Sequence, residues 1–254
     1  MTRLDPKLLL QGYASGIFPM ADSRDSEDLF WVEPRRRAIL PLDRFHVSRT
    51  LRRVLRSGRF SVTLDRDFEG VVAACARREE TWINAEIEAA MRSLHASGFA
   101  HSVEVWSGGE LVGGLYGVKL GRAFFGESMF SRASDSSKIA LAWLVARLKA
   151  GNFTLLDCQF MTGHLASLGA VSVSRAAYVA LLAGALGGGG EVAGGRAGAG
   201  AGVGAKSAGV SGAASSAALA PDFGALDRLL ELTGVADDSG PAGYVISQLL
   251  GQTS

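Results

Sequence analysis

Residues 101–130 read HSVEVWSGGELVGGLYGVKLGRAFFGESMF, and the fold turns on how this run is divided. HSVEVW (101–106) alternates as a strand with one buried face does. Gly108-Gly109 and Gly121-Arg122 supply residues that let a chain reverse tightly. LVGGLYGVKL (111–120) and AFFGESMF (123–130) then read as two more strands, giving a three-stranded antiparallel meander. The third strand carries FFGESMFS (124–131), where one carboxylate, Glu127, sits in an otherwise apolar or small-residue run. Carboxylates are rarely buried without a partner, so Glu127 is a candidate functional residue whose partner must be found.

Downstream, SDSSKIALAWLVARLKAG (134–151) predicts a helix with cap candidates Ser134 and Asp135 and a stop at Gly151. FTLLDCQF (153–160) predicts a further strand, and HLASLGA (164–170) and RAAYVALLAGAL (175–186) predict helices. Upstream, residues 6–17 read as a helix opened by Pro6, FPM (18–20) begins an irregular stretch, and a basic helix starts at Ser48. FSVTLD (60–65) alternates as a strand, and 67–78 and 84–97 have helical spacing. Meander, helix, strand and helix define an α+β protein, with helices packed on a mostly antiparallel sheet.

The bulk numbers exclude several classes. A chain of 254 residues can hold one or two domains with a real core. A net charge of +1 gives no global pull toward nucleic acid or membrane, so any electrostatic footprint is local. The segment 34–59 is such a footprint, with nine arginines against one acid, Asp43. Cys75 and Cys158 lie far apart, with no metal or redox spacing, which fits a reducing compartment. The four histidines form no metal-spaced pair, so no metal is expected. No signal peptide or membrane span is read. Composition changes at Gly187: twelve of the 33 glycines fall between 187 and 212, which predicts a flexible linker over 187–220. Phe223, Leu226, Leu229 and Leu230 then recur at helical spacing in a tail, 221–254, either docked or free.

DCQ (157–159) is the second candidate. In a strand Asp157 and Gln159 share a face and Cys158 points away. Asp157 could hold the Gln159 amide by a hydrogen bond, leaving the Gln159 carbonyl to accept from an attacking amine. A purely structural polar pair at a strand end is the alternative.

Eight pieces then occur in one order: GIFPM (16–20), FWVEPRRRAILPL (30–42), TWIN (81–84), AHSVEVW (100–106), LVGGLYGV (111–118), FFGESMFS (124–131), LLDCQF (155–160) and HLASLGA (164–170). Together they make the chain closely resemble the leucyl/phenylalanyl-tRNA–protein transferase family over nearly all of residues 6–182. The resemblance implies an enzyme that moves Leu, Phe or Met from a charged tRNA onto proteins beginning with Arg or Lys, marking them for degradation. It implies a cytoplasmic monomer without metal or cofactor. It also implies a small N-terminal domain, placed here at 1–60, and a catalytic domain, 61–186, similar to the GCN5-related N-acetyltransferase fold. Carried over position by position, it makes Asp157 and Gln159 catalytic. Leu115, Phe124, Leu141, Leu144 and Leu156 become the aminoacyl pocket, and Trp31 and Trp82 the stacking surface for the terminal adenosine. Gly163 stands where the family usually has an aspartate.

The reaction implied is ester aminolysis, which needs positioning, a proton acceptor and oxyanion stabilisation. Glu127 would meet the cationic acceptor side chain, and a bulge at Gly126 would bring it and Phe124 to one cleft. The natural phosphate contacts are Arg35, Arg36, Arg37, Arg49, Arg52 and Arg53. Two rivals share these features in part: an acetyl-CoA-dependent acetyltransferase and an RNA-binding module without catalysis. The junction SRASDSSK (131–138) has no glycine to cradle a pyrophosphate, which counts against the first.

Overall fold

A computed structural model describes residues 4–78, 80–187, 220–233 and 241–251. Helix α1 (Pro6–Ala14) is capped by the Asp5 carboxylate, which accepts from the Lys7 N–H at 2.8 Å. A hairpin follows, β1 (Phe18–Ala21) against β2 (Leu29–Val32). Then come β3 (Arg36–Ile39), α2 (Arg49–Arg56), β4 (Ser61–Leu64), α3 (Phe68–Ala76) and α4 (Ala85–Ala96). The meander is β5 (Ala100–Ser107), β6 (Glu110–Leu120) and β7 (Ala123–Ser131). After it run α5 (Ser136–Ala150), β8 (Leu155–Gln159), α6 (Gly163–Ser167), β9 (Val171–Ser174) and α7 (Arg175–Gly187). The tail contributes α8 (Ala225–Leu232) and α9 (Pro241–Gly251).

Seven strands form one sheet in the order β4-β5-β6-β7-β8-β3-β9. Every pair is antiparallel except β7 with β8, which the α5 crossover makes parallel. The class is therefore α+β. One face packs on α1, α3, α4 and α7, with Tyr13, Val71, Ile87, Tyr116, Phe125 and Tyr178 buried. The other packs on α2, α5, α8 and α9, with Leu51, Leu115, Phe124, Leu141, Leu144 and Leu156 buried.

Several elements differ from the sequence reading. FPM is not irregular: Phe18 to Ala21 pair with Leu29 to Val32, and Pro19 is tolerated because this two-stranded sheet has only edges. The strands β3 and β9 lay hidden, β3 within the arginine run and β9 as the four-residue Val-Ser-Val-Ser. Within the expected N-terminal segment 1–60, β3 is an interior strand of the large sheet and pairs with β8 and β9 of 61–186. At the start of α5, Asp135 takes the cap position at φ 67° but gives no side-chain cap; its carboxylate accepts from Lys138 Nζ at 2.8 Å instead.

Residues 188–219, most of the expected linker, lie outside the described residues. The tail beyond them is docked. Phe223, Leu226, Leu230, Ile246 and Leu250 are all buried in the core around α5. Arg147 of α5 is buried, and its carboxylate partner is Asp227 of α8, at 2.5 and 2.6 Å; it also donates to the Phe223 carbonyl at 2.8 Å. A β-carbon on Gly243 would overlap the Leu55 carbonyl oxygen, so α9 rests directly on the backbone of α2. The tail is thus a clamp on α2 and α5, held by apolar burial and a buried guanidinium.

Candidate active site

The site lies where β7 and β8 stop pairing. Their parallel register runs Ala123–Leu155, Phe124–Leu156 and Phe125–Asp157, and ends there. Each strand then carries a bulge. In β7, Tyr116 pairs with Ser128 and Gly117 with Gly126, which leaves Glu127 as the extra residue. In β8, Ala38 pairs with Gln159 and Ile39 with Asp157, which leaves Cys158 extra. Bulges bend a strand and re-aim its side chains, so the two strands part and leave Glu127 and Gln159 facing across the opening. Gln159 Nε2 donates to Glu127 Oε1 at 2.8 Å. Gln159 itself adopts φ 60°, a left-handed conformation that an unbranched polar residue rarely takes.

Asp157 is fully buried beneath this pair. Its Oδ1 accepts from Arg37 Nε at 2.9 Å and from the Gln159 backbone N–H at 2.8 Å; its Oδ2 accepts from Arg37 Nη2 and the Tyr178 hydroxyl, each at 2.7 Å. The Arg37 guanidinium lies between the Phe18 and Tyr178 rings, 4.5 and 4.8 Å from their centroids, and Nη1 donates to the Gly16 carbonyl at 3.2 Å. Two expectations are corrected here. Arg37 is not a phosphate contact: it is 1% exposed and committed to a bidentate ion pair. Asp157 does not hold the Gln159 side chain; it holds the Gln159 main chain, and the side-chain amide is held by Glu127.

Glu127 therefore does have an internal partner, but an amide and not a nearby arginine. Arg122 donates instead to the Asn152 carbonyl and Arg132 to the Leu111 carbonyl. Glu127 Oε2 and the neighbouring Tyr13 hydroxyl are both buried without a hydrogen-bond partner among the described residues. The bulge exists, yet it does not bring Phe124 and Glu127 to one cleft. Phe124 packs on the α5 face, whereas Glu127 lies against Tyr13 and Tyr116 on the other.

The remaining candidates divide. Leu115, Phe124, Leu141, Leu144 and Leu156 gather in one cluster, each at most 3% exposed, so they line no open surface in this state. Trp31 is 37% exposed and lies over Gly12, where a β-carbon would strike its ring; Trp82 is half-buried against the α3–α4 side. Arg49, Arg52 and Arg53 are exposed on α2, and Arg35 is exposed at the start of β3. Arg36 is exposed but tied to Ser172, donating to its hydroxyl at 2.9 Å and its carbonyl at 2.7 Å. Gly163 is exposed with open space where a side chain would sit, and Thr162 already caps α6 through the Leu165 N–H. Sequence reasoning missed Tyr13, Tyr116 and Tyr178. Their signal was a phenol inside an apolar run, since a buried hydroxyl needs a partner. Three of the four tyrosines do surround this site.

The leucyl/phenylalanyl-tRNA protein transferase model matches residues 39–183, and the model of that family's N-terminal domain matches residues 2–35. A leucyl/phenylalanyl-tRNA–protein transferase of Rhizorhabdus wittichii is 58% identical over the whole of both chains. The chain belongs to the leucyl/phenylalanyl-tRNA–protein transferase family. It is thus an aminoacyltransferase by kinship. Transferases of the same name from Zymomonas mobilis and a Ruegeria species are 59% and 61% identical, over 72% of this chain and 70% and 87% of their own. A solved structure, "The structure of L-PGS from Bacillus licheniformis", aligns with 65% of this chain and 56% of its own at 15% identity and a TM-score of 0.33. The two matched segments divide the chain between 35 and 39, where β3 enters the large sheet. Among the described residues of the transferase, no helix is long and apolar enough to cross a membrane.

The electrostatics of the transferase site follow from burial. Burial pushes the Glu127 pKa up to about 8; the adjacent Tyr13 hydroxyl opposes this and the Asp157 charge adds to it. Burial, followed by the Glu127 charge, raises Tyr13 and Tyr116. For Arg37 burial disfavours the cation, but the Asp157 hydrogen bonds and charge outweigh it and raise its pKa. Burial therefore favours the neutral form of Glu127.

This has a measurable consequence. A folded-state pKa above the unfolded value means that the fold binds a proton the unfolded chain has released, so stability falls as pH rises between the two values. For Glu127 that window runs from about 4.5 to about 8, at on the order of 1 kcal/mol per pH unit. Glu127→Gln removes the burden. Urea unfolding at pH 5, 6.5 and 8 is expected to show the variant gaining on the wild type at each step, with no further gain above pH 8. A stability difference that ignores pH would place an ionised Glu127 in the fold.

Proposed function

We propose that the protein transfers Leu, Phe or Met from aminoacyl-tRNA to the N-terminus of proteins beginning with Arg or Lys, in the cytoplasm and as a monomer. The observation that carries this reading is Glu127: a buried carboxylic acid whose pKa burial pushes up to about 8, with one oxygen on Gln159 and the other beside the Tyr13 hydroxyl, at the opening between β7 and β8. A cationic acceptor side chain would favour the carboxylate form of Glu127, whose proton leaves to water, and pair with it. A neutral N-terminus would gain nothing there.

In the step itself the acceptor α-amine attacks the ester carbonyl, the bond to the terminal ribose oxygen breaks, and the amine proton passes to that oxygen as the peptide bond forms. Gln159 positions the amine. Because its Nε2 is engaged by Glu127, its Oε1 is left to accept a hydrogen bond from the amine. Asp157 acts as a positioning residue, since its four lone-pair sites are filled by Arg37, Tyr178 and the Gln159 N–H. The buried leucines and Phe124 would receive the aminoacyl side chain after opening. Trp31 and Trp82 would stack the terminal adenosine, and Arg35, Arg36, Arg49, Arg52 and Arg53 would meet the phosphates. A meander, a helix and a strand returned in parallel support the GCN5-related N-acetyltransferase-like reading of the body.

Glu127→Gln tests the proposal. It is expected to fold, to bind charged tRNA as the wild type does, and to lose roughly 10–100-fold in kcat/KM on Arg- and Lys-starting peptides, the equivalent of about 1.5–3 kcal/mol of charge-assisted bonding. Discrimination against neutral N-termini shrinks in parallel. A variant that keeps the basic preference would return Glu127 to a structural role.

A further inference from the structure

Past Glu127, β7 continues to Met129 and Phe130; past Gln159, the chain enters α6 at Gly163-His164. These two continuations and the end of α3 border a groove of about 530 Å³. Its charged lining residues among those described are Arg77, Arg78 and Arg132, with no acidic residue among them. All three arginines are exposed, and none forms an ion pair among the described residues. Two are held by main chain: Arg78 Nη2 donates to the Met129 carbonyl, and Arg132 Nη1 to the Leu111 carbonyl at 3.2 Å, with its guanidinium over the Phe130 ring. His164, with Nε2 buried and unpartnered among the described residues, lies on the same lining.

Three guanidiniums on one small groove repel each other unless an anion joins them. Their planar forks match phosphate oxygens. The groove opens two residues beyond Glu127, roughly 7 Å along the strand, so an occupant would be contiguous with the reacting ester. The acceptor cannot be that occupant, because its first side chain and α-amine carry the same sign as the groove. We propose that this groove binds phosphodiester groups of the donor's single-stranded 3′ end, the nucleotides just before the esterified ribose. The inference rests on the transferase reading above and adds a path for the RNA separate from the arginines of α2.

The test compares three donors carrying the same amino acid: charged tRNA, the aminoacyl trinucleotide of its 3′ end, and aminoacyl-adenosine, which has no phosphate. Arg78 is left intact because it supports Met129. In Arg77→Gln/Arg132→Gln, KM is expected to rise about 10-fold for charged tRNA and for the trinucleotide and to stay unchanged for aminoacyl-adenosine. The salt dependence of tRNA binding should fall by about one phosphate per arginine removed. Arg49→Gln/Arg52→Gln is the contrast: it should weaken charged tRNA and spare the trinucleotide. An equal rise for aminoacyl-adenosine, an unchanged KM for charged tRNA, or a rise confined to the Arg-starting peptide would each overturn the groove while leaving the transferase reading intact. Wild-type protein that transfers from none of the three donors would overturn both.

Discussion

Arg37→Ala is expected to lose about 3–5 kcal/mol of folding stability, as removal of one member of a buried ion pair does. The loss comes chiefly from what remains. Asp157, fully buried, would keep only the Tyr178 hydroxyl and the Gln159 N–H. Denaturant unfolding of Arg37→Ala, Asp157→Asn and the double variant isolates the coupling: the double variant should be less damaged than the sum of the singles. Transfer activity should fall even in the folded fraction, because the Asp157 carboxylate that holds the Gln159 main chain loses the guanidinium that fixes it. A phosphate-binding arginine would behave in the opposite way, leaving stability unchanged and weakening tRNA. Normal folding with reduced tRNA affinity would therefore restore the role that the sequence suggested.

Deleting residues 221–254 should be more severe. Phe223, Leu226, Leu230, Ile246 and Leu250 are buried against the body. At about 1.5–3 kcal/mol for each large side chain, their removal approaches the whole stability of a domain, about 5–15 kcal/mol. Arg147 would also be left buried without Asp227. The truncated protein is expected to be insoluble or unfolded at 37 °C. Gly243→Val, which forces α9 off Leu55, should lower the melting temperature of the full chain without touching Glu127, Asp157 or Gln159. A soluble, fully active truncation would show the clamp to be dispensable. This reverses what the composition of the Gly/Ala-rich stretch implies for the residues after it, because a polar or glycine-rich connection does not prevent the next amphipathic segment from docking.

The local signals were readable. The meander, its glycine turns, α3, α4 and α5 follow from periodicity, and so does the shared face of Asp157 and Gln159. What escaped was long-range. Nothing near Arg37 distinguishes it from Arg36, yet one is buried and the other exposed, because strand alternation puts them on opposite faces of β3. The partner that decides the matter, Asp157, is 120 residues away. Tyr13 and Tyr178 come from helices at opposite ends of the body, and only the assembled sheet brings them to one carboxylate pair. The bulges at Glu127 and Cys158 are equally invisible, since each depends on the register of a neighbouring strand.

The left-handed conformation of Gln159 carries a consequence for how this protein can change. Glycine takes φ near 60° without penalty and asparagine takes it more readily than glutamine. Selection for heat resistance alone, blind to turnover, would thus drift toward Gly or Asn at 159, relieving on the order of 1 kcal/mol while losing the reach of the longer amide. Enzymes tuned for activity commonly sit off their stability optimum at such positions. With Gln159 positioning the amine as proposed above, residue 159 is where thermostabilising this protein and keeping it competent pull in opposite directions.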